Sequence, residues 1–457
     1  MNLLAELMLQ LAIFGVSSFL LIYQYIFFRA GVSLKEDLQL SVEELPKVSI
    51  IVPTKGERIE NIQGLLDNIN EVEWDKSKLE VIIVSDDSSS YYEEMLNHLK
   101  VPKDLKVKIL RREKPIGYKS GALREGFEYS DGDLILTLDV DARLQKDSLL
   151  KAFRHMLKFG CDAVTMNWVG YTGNRYSTLA KALMVSTIIA DISLLKGRDS
   201  KKMRIFPVGC GTMFKRTAIE EVGPWDPSMI QDDLEIGARL IHKGKRICAS
   251  SSSVFVEVPD NLVSFYIQQT RWAMGSIEVL VHRRKEIFSK NLSLREKLDI
   301  IVFLLQYVPI ALTFLAALVL VPLALFGVDV LRTPLLVLWL GALGIYGFNF
   351  IKTAKKTGLN LLESMRALGK ISSYTVAISP FILLGLISGL RKERKYIVTP
   401  KGKKVTTRIQ YPISAFGVLF LMTSIIYLLH ASWVTGLWLL YYSIGYVFTV
   451  LTFKREL

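Results

Sequence analysis

The chain has 457 residues; half of them are hydrophobic, 22% are charged, and the formal net charge is +13. The mean hydropathy of +0.30, with charges that nearly vanish from several long stretches, argues against a purely soluble protein and favours a water-soluble domain fused to membrane helices. The Lys and Arg surplus fits basic cytoplasmic loops and attraction to anionic lipid, whereas the sequence has no basic recognition helix or zinc-finger spacing to favour nucleic-acid binding.

The first predicted element is a membrane span at residues 7–28, an uncharged run long enough to cross a bilayer. A cleaved signal peptide is the alternative, but it usually begins with a basic stretch. Here the start MNLLAE has no Lys or Arg, and Arg29 follows the run. Residues 1–34 therefore read as a retained helix with its N-terminus outside.

The sequence pattern of residues 46–297 predicts an α/β domain. Short β-branched runs (VSIIVPT, LEVIIVSDDS, VKILRR, DLILTLDVDA) alternate with charged, helix-like segments. This alternation predicts βαβ units and a parallel sheet, in which ligands bind beyond the carboxyl ends of the strands.

Acidic residues fall at two of those strand ends. Asp86 and Asp87 follow the second run, and Asp139-Val140-Asp141 follows the fourth. Two carboxylates flanking one residue make an oxygen-rich corner suited to a hard divalent cation, Mg²⁺ or Mn²⁺. The structural alternatives are an Asx turn or helix N-cap for SDDSSS and a solvated acidic loop for DVDA.

Two later motifs combine acids, an arginine and an aromatic residue. In QDDLEIGARL, Asp232 and Asp233 lie at the start of a predicted helix. The structural alternative is that these acids only stabilise the helix N-terminus, where negative charge is favourable. In QQTRW, Gln268, Arg271 and Trp272 at i, i+3 and i+4 share one helix face. Trp can stack on a sugar and Arg can bind a diphosphate in a fork, whereas the alternative is an interfacial helix with a buried Trp.

The three cysteines, Cys161, Cys210 and Cys248, form no CxxC pair. Their odd number and wide spacing argue against a disulfide framework or a zinc site. All three are expected to be reduced and to face the cytosol, with Cys210 a small buried thiol rather than a nucleophile.

Residues 298–457 are predicted to be mainly membrane helices. Uncharged runs at 300–328, 333–351, 413–430 and 433–453 bring the number of spans to five. Residues 371–390 are apolar, but both flanks are basic and Pro380 favours a bend, so this segment is predicted to be interfacial or re-entrant. Six spans are the alternative.

The order of these motifs resembles that of the membrane-bound family 2 glycosyltransferases, which include cellulose, chitin and hyaluronan synthases and their glycolipid-making relatives. The resemblance runs from about Val48 to Trp272 and resumes at the basic loop after Arg391. It implies an α/β GT-A-type (Rossmann-like) cytosolic domain plus an α-helical transmembrane domain. It also implies a location in the plasma membrane.

The resemblance implies roles for individual residues on the donor side. Asp141 would bind the metal ion, with help from Asp139. The expected nucleotide-sugar-binding residues are Thr54, Glu57, Asp87, Lys119, Asp139 and Arg271. In the loop at about 391–408, YIVTPK resembles the FxVTxK gating loop of cellulose synthase-like enzymes, with Tyr396 in place of Phe. Thr399 and Lys401 would then close over the nucleotide, and an ordinary juxtamembrane basic loop is the alternative.

On the acceptor side, Gln231-Asp232-Asp233 occupies the positions of the family's TED motif. Asp233 takes the position of the aspartate and is the expected general base. The first two positions depart from TED, which keeps Asp232 open as the alternative base. The expected acceptor-binding residues are Gly211, Thr212, Asp232, Gln268 and Trp272.

The function implied is inverting, metal-dependent transfer of a sugar from a nucleotide sugar, with a UDP-sugar favoured. The acceptor would be a growing β-linked polysaccharide, extended processively and exported through the enzyme's own helices. Transfer of one sugar to a membrane lipid is the closer alternative. A non-catalytic transporter or scaffold with a sugar-binding domain is the more distant one, disfavoured because the spans carry almost no ionisable residues.

Overall fold

The computed structural model describes residues 3–33, 42, 44–331, 333–391 and 408–453. The strands in this part of the chain are β1 Val48–Thr54, β2 Leu79–Ser85, β3 Lys106–Arg111, β4 Leu134–Thr137, β5 Arg143–Leu144, β6 Ala163–Tyr171, β7 Thr212–Lys215 and β8 Ile247–Glu257. The α-helices up to the acidic pair are α1 Leu3–Gln10, α2 Val16–Val32, α3 Ile59–Asn70, α4 Ser89–His98, α5 Tyr118–Glu128, α6 Ser148–Phe159, α7 Thr178–Ala190, α8 Gly197–Ser200, α9 Arg216–Val222 and α10 Asp232–His242. The remaining ones are α11 Leu262–His282, α12 Arg284–Ile287, α13 Leu294–Leu304, α14 Val308–Leu325, α15 Thr333–Lys356, α16 Leu361–Ala377, α17 Ser379–Gly389, α18 Gln410–Leu429 and α19 Trp433–Phe453.

All eight strands form one mixed sheet in the order β3-β2-β1-β4-β7-β6-β8-β5. The first four are parallel, as predicted, and β1 and β2 are almost completely buried because helices cover both faces. β7 is antiparallel to β4 and β6, so the far half of the sheet is mixed. The sheet order places the ends of β1, β2 and β4 side by side.

The apolar runs predicted as membrane spans are all helical. By length and composition, six described helices could cross a membrane, at Leu4–Val32, Thr178–Ser200, Val308–Leu325, Pro334–Lys356, Gln410–Leu429 and Trp433–Phe453. The run predicted to start at residue 300 divides, since α13 ends at Leu304 and α14 begins at Val308. The helix at Thr178–Ser200 was not among the five predicted spans.

This unpredicted helix, named here the bridging helix (Thr178–Ser200), lies along the α/β domain. At one end, Ser177 Oγ donates to the Asp260 carbonyl (2.7 Å), and at the other the Ala249 N–H donates to Asp199 (2.9 Å). These partners flank most of β8, which at about 3.3 Å per residue is roughly as long as the helix. Both ends are therefore held by the α/β domain, which indicates a helix lying along the domain surface rather than a span.

The opposite side of the bridging helix packs on membrane helices. Lys181 pairs with Glu363 of α16 (3.0 Å). At the other end it crosses α2 so closely that a Cβ on Gly31 would lie 2.1 Å from the Ile192 carbonyl oxygen, and one on Gly197 would lie 2.0 Å from that of Phe27. Glycine at both positions is what allows this approach, and the bridging helix thus connects the two parts of the protein.

The segment predicted to be interfacial or re-entrant is bent, as Pro380 suggested. α16 and α17 meet at a 54° angle, and Pro380 lies in the first turn of α17, where a missing N–H costs no helical hydrogen bond. α17 packs along α11, which carries the QQTRW motif. The interfacial placement itself stays a prediction.

The expectation that all three cysteines are reduced is wrong. Cys161 and Cys248 form a disulfide with Cα atoms 6.0 Å apart, and Cys210 is a buried thiol. Cys161 lies just before β6 and Cys248 in β8, two strands that pair in parallel, so sheet order brings together residues 87 positions apart. Spacing in the sequence carries no trace of this pairing.

Candidate active site

A single cavity of about 620 Å³ lies at the carboxyl ends of β1, β2 and β4, a size typical of small-molecule sites. It is lined by most of the residues singled out from the sequence. Those residues are Thr54, Glu57, Lys119, Asp139, Asp141, Asp232, Asp233, Gln268, Arg271 and Trp272. Side chains from segments more than 200 residues apart thus meet in one place.

The Asp-x-Asp corner follows β4 directly. Asp141 is nearly buried (7% exposed), and the Tyr171 hydroxyl from β6 donates to its backbone carbonyl (2.6 Å). Asp139 is more open, with 41% of its side chain exposed, and accepts a hydrogen bond from Lys119 (2.7 Å). The corner is held rigidly while one carboxylate remains accessible from the cavity.

Lys119 connects the two acidic groups of the site. Its Nζ donates to Asp139 (2.7 Å) and to the Gly209 carbonyl (2.8 Å), and it lies 3.8 Å from Asp232. α5 supplies this lysine from its first turn, directly after the left-handed Gly117. A cation at this point offsets the repulsion among the surrounding carboxylates and supplies a positive charge for a phosphate.

The acidic pair occupies the first turn of α10, where the helix dipole favours negative charge. Asp232 is buried (4% exposed). Asp233 is half-buried; its Oδ1 accepts hydrogen bonds from Gln231 Nε2 (2.9 Å) and from the Leu234 N–H (2.8 Å). Its Oδ2 faces Gly209, where an added Cβ would lie only 3.3 Å away. The Asp233 carboxylate is therefore held through Oδ1 by two hydrogen bonds, while Oδ2 faces the loop that contains Gly209.

Burial raises the pKa of Asp232 to about 7, opposed by the positive charge of Lys119 and reinforced by the negative charges of Asp233 and Asp139. We predict that kcat/KM rises with pH through about 7, because ionised Asp232 adds negative charge beside Asp233, the general base expected from the sequence. Asp232→Asn should abolish this limb and hold kcat/KM at the acidic wild-type level. A pH profile of both proteins measures it, and an unchanged limb in the variant would assign the titration elsewhere.

α11 brings the QQTRW side chains to the cavity on one face, as their spacing predicts. Trp272 lies 6.4 Å from Trp168, centroid to centroid, and Trp168 Nε1 donates to the Cys210 carbonyl (2.7 Å). Trp168 also lines the cavity, and sequence reasoning missed it. Together the two rings provide an aromatic surface on which a sugar could stack.

The two neighbouring aspartates after β2 have different surroundings. Asp86 lines the cavity and forms a buried, bidentate pair with Arg112, at 2.6 and 2.7 Å. Asp87, the residue expected to bind nucleotide, instead accepts hydrogen bonds from the Gly56 N–H (2.6 Å) and Ser85 Oγ (2.8 Å) and does not line the cavity. Asp87 thus shapes the loop after β1, which carries Glu57.

The loop expected to contact the acceptor reaches the cavity through Val208 and Gly209. Gly211 and Thr212 do not line it: Gly211 packs against Val254, and fully buried Thr212 donates to the Val208 carbonyl (2.7 Å). These two residues fix the loop from behind. Burial raises the pKa of the Cys210 thiol well above its ordinary value, which fits the expected inert thiol.

Thr399, Lys401 and the rest of the gating-like motif lie outside the described residues, as do the charged residues after Phe453. Among the described residues, His155, Cys161 and Cys248 form a tight group of metal-ligand type, but the disulfide occupies both sulfurs. The carboxylates of Asp139 and Asp141 are the donor set that fits Mg²⁺ or Mn²⁺. A Mg²⁺ ion keeps few protein ligands and takes the rest from phosphate oxygens and water.

The structure combines a mixed sheet, an Asp-x-Asp corner after β4, an acidic start of α10 and a helix, α11, that carries Arg271 and Trp272. This combination is that of the GT-A type of glycosyltransferase fold. Residues 134–351 match the family described as Glycosyl transferase family group 2. A probable glycosyltransferase of Sulfolobus acidocaldarius is 47% identical over 99% of this chain and 100% of its own length. The chain therefore belongs to the family 2 glycosyltransferases and is an enzyme of that family.

Two more distant proteins resemble this chain in sequence or in fold. A poly-beta-1,6-N-acetyl-D-glucosamine synthase of Staphylococcus aureus is 28% identical over 62% of this chain and 66% of its own. Among solved structures, a mannosyltransferase from Pyrobaculum calidifontis, in complex with GDP-Man and Mn²⁺, shares the fold with a TM-score of 0.54. It is 19% identical and covers 79% of this chain and 98% of its own.

Proposed function

We propose that this chain is an inverting, metal-dependent glycosyltransferase that transfers sugar from a nucleotide sugar at the cytosolic surface of the cell membrane. The observation that carries the proposal is that Asp141, Asp233 and Trp272, from three separate segments, line one cavity. A metal corner, a proton acceptor and a sugar-stacking surface are the groups that such a transfer requires.

The donor side of the cavity is at the end of β1. Thr54 Oγ1 is buried there without a hydrogen-bond partner among the described residues, so a nucleotide hydroxyl or base would satisfy it. Glu57 lies beside it, and Lys119 and Arg271 supply positive charge for a diphosphate. The sequence favours a UDP-sugar, while the mannosyltransferase of similar fold holds GDP-Man, so both donor classes enter the test.

A divalent cation held by Asp141 and Asp139 would stabilise the charge that develops on the departing diphosphate. The mannosyltransferase of similar fold contains Mn²⁺, which supports this role for the carboxylate pair. Lys119 would then exchange its contact with Asp139 for the diphosphate or for Asp232, which lies 3.8 Å away.

The bond-forming step uses Asp233. Its carboxylate accepts the proton of the acceptor hydroxyl, and the oxygen forms a bond to the anomeric carbon as the bond from that carbon to the diphosphate oxygen breaks. One in-line displacement inverts the configuration, so an α-linked donor yields a β-linkage. Gln231 and the start of α10 hold Asp233 in a fixed orientation for this transfer.

Two acceptors are candidates. The sequence favours a growing β-linked polysaccharide, extended processively and exported. The shape of the cavity favours transfer of a single sugar to a membrane lipid, because the cavity continues from Arg271 to side chains of α14, α15 and α16.

The test is a panel of UDP- and GDP-sugars, each assayed for released nucleotide with Mg²⁺ or Mn²⁺ and with EDTA, using the full chain in detergent. We expect one donor to give metal-dependent release, and Asp141→Asn to lower that release by about 100-fold or more. Linkage analysis should find a β-bond in the product. Failure with every donor would support a transporter or scaffold instead.

A further inference from the structure

The part of the cavity beyond Gln268 and Arg271 bears on the identity of the acceptor. We call it the membrane-side chamber; it lies between the bridging helix and helices α14, α15 and α16. Six of its lining residues are Leu183, Ala190, Asp191, Ile310, Tyr346 and Ile371. It is continuous with the space around Asp233, so a molecule bound in the chamber can present a group to the proposed base.

The chamber reaches only part of the way along the membrane helices. On α15 it extends to Tyr346, ten residues before Lys356, or about 15 Å at 1.5 Å per residue. On α14 it reaches Ile310, near the end adjoining the α/β domain. A hydrocarbon core is about 30 Å thick, so the lining residues cover about half of it. That depth fits a molecule entering from the membrane better than a polymer leaving across it.

The walls combine apolar side chains with a buried carboxylate. Asp191 is 4% exposed and begins a π-helical turn (Asp191–Lys196) within the bridging helix. Its Oδ2 forms an ion pair with Lys196 Nζ at 2.9 Å. A carboxylate buried among apolar side chains is costly to desolvate, and π-helical turns recur at functional sites. Apolar walls that also carry one acid, the hydroxyls of Ser186, Thr187 and Thr375 and the amide of Gln306 suit an amphipathic molecule with a hydroxylated head group.

We propose that the membrane-side chamber binds the acceptor, a membrane lipid with a hydroxylated head group, and that Asp191 positions that head group by accepting a hydrogen bond from one of its hydroxyls. This inference rests on the proposed glycosyl transfer. The lipid chain lies against Leu183, Ala190 and Ile371, and the reacting hydroxyl points to Asp233. Asp191 is a positioning residue, since it acts on the acceptor away from the bond that forms.

The first test compares two acceptor probes with the same head group, dodecyl β-D-glucoside and methyl β-D-glucoside. The full chain is purified in a sugar-free detergent and given the donor found by nucleotide release. We expect kcat/KM to be at least about 100-fold higher for the dodecyl compound, because each buried CH₂ strengthens binding roughly fourfold. Equal use of the two, or no transfer to either while donor is hydrolysed, overturns the inference.

Two variants locate the effect. Ala190→Trp fills the chamber and should lower transfer to dodecyl β-D-glucoside more than about 30-fold. Ala415→Trp is the matched control, because Ala415 is exposed on α18 and outside the cavity. Asp191→Asn should raise KM for the dodecyl compound about 10-fold with KM for the donor unchanged. Wild-type transfer in both Ala190→Trp and Asp191→Asn overturns the inference.

These outcomes are separate from failure of the proposed function. If no donor gives metal-dependent nucleotide release, the glycosyl transfer itself fails. If release occurs but oligosaccharides without a lipid chain are the better acceptors, only the chamber assignment falls and polysaccharide synthesis gains support.

Discussion

Asp233→Asn is expected to lower kcat by about 10³-fold, with donor affinity within about twofold of the wild type. A positioned general base contributes about 10² to 10⁴ in rate, and an amide cannot accept the acceptor proton. The replacement has the same shape and keeps an oxygen for the Gln231 hydrogen bond, so the start of α10 should be preserved. Product formation under donor saturation, together with titration of nucleotide binding, measures the two quantities.

Asp67→Asn is the control for the chemical change alone, because Asp67 is exposed on α3 and outside the cavity. It should retain full activity. The adjacent Asp232→Asn decides between the two acids: if it costs more than Asp233→Asn, the buried residue is the base. Full activity in Asp233→Asn would rule out the present assignment altogether.

The first half of the sheet could be predicted because its signals are local. β1, β2, β3 and β4 each appear in the sequence as a short β-branched run, and their parallel arrangement follows from the helices between them. Acids at two strand ends then had to lie at one edge of the sheet. That reasoning placed Asp139 and Asp141 in the cavity that the structure shows.

The different surroundings of Asp86 and Asp87 could not be predicted from the sequence, because the two are neighbours with the same chemistry. Their difference comes from Arg112, which lies 26 residues later and pairs with Asp86 only after β3 docks beside β2. The disulfide is similar, since it depends on β6 and β8 being neighbours in the sheet.

The bridging helix was not among the predicted spans because charged residues interrupt its apolar pattern. Lys181, Asp191, Lys196 and Arg198 divide a run that would otherwise resemble a span. In the structure each finds an opposite charge, in α16, within the helix or in α13. Those partners are distant or unrelated by any sequence rule, and only the assembled fold makes the segment a single helix.

One of those pairs should dominate the stability of the junction. Arg198 and Asp299 are each about 1% exposed, and Arg198 Nε lies 3.2 Å and 3.3 Å from the two carboxylate oxygens. The Tyr23 hydroxyl donates to Asp299 (2.9 Å), and the guanidinium stacks 4.6 Å above the ring of Phe27. The pair thus joins α2, the bridging helix and α13.

Asp299→Ala is expected to cost about 4 kcal/mol of unfolding free energy, because it leaves the Arg198 charge buried without its partner. At about 2.1 cal/mol/K per residue this lowers the unfolding midpoint by about 4 °C, measurable by thermal unfolding of the full chain in detergent. Tyr23→Phe should cost about 1.5 kcal/mol, since it removes one hydrogen bond to a charged acceptor.

The double variant Arg198→Met/Asp299→Leu separates an ion-pair effect from lost packing. Replacing a buried pair by apolar side chains of similar volume is often neutral, so the double variant should unfold near the wild-type temperature although Asp299→Ala does not. If the double variant loses as much free energy of unfolding as Arg198→Met and Asp299→Leu lose together when each is made singly, the two charges are not coupled. None of the changed residues lines the cavity. Nucleotide release at low temperature should therefore be retained in Asp299→Ala, in Tyr23→Phe and in the double variant. A loss of release without unfolding would show that the junction also positions the bridging helix for catalysis.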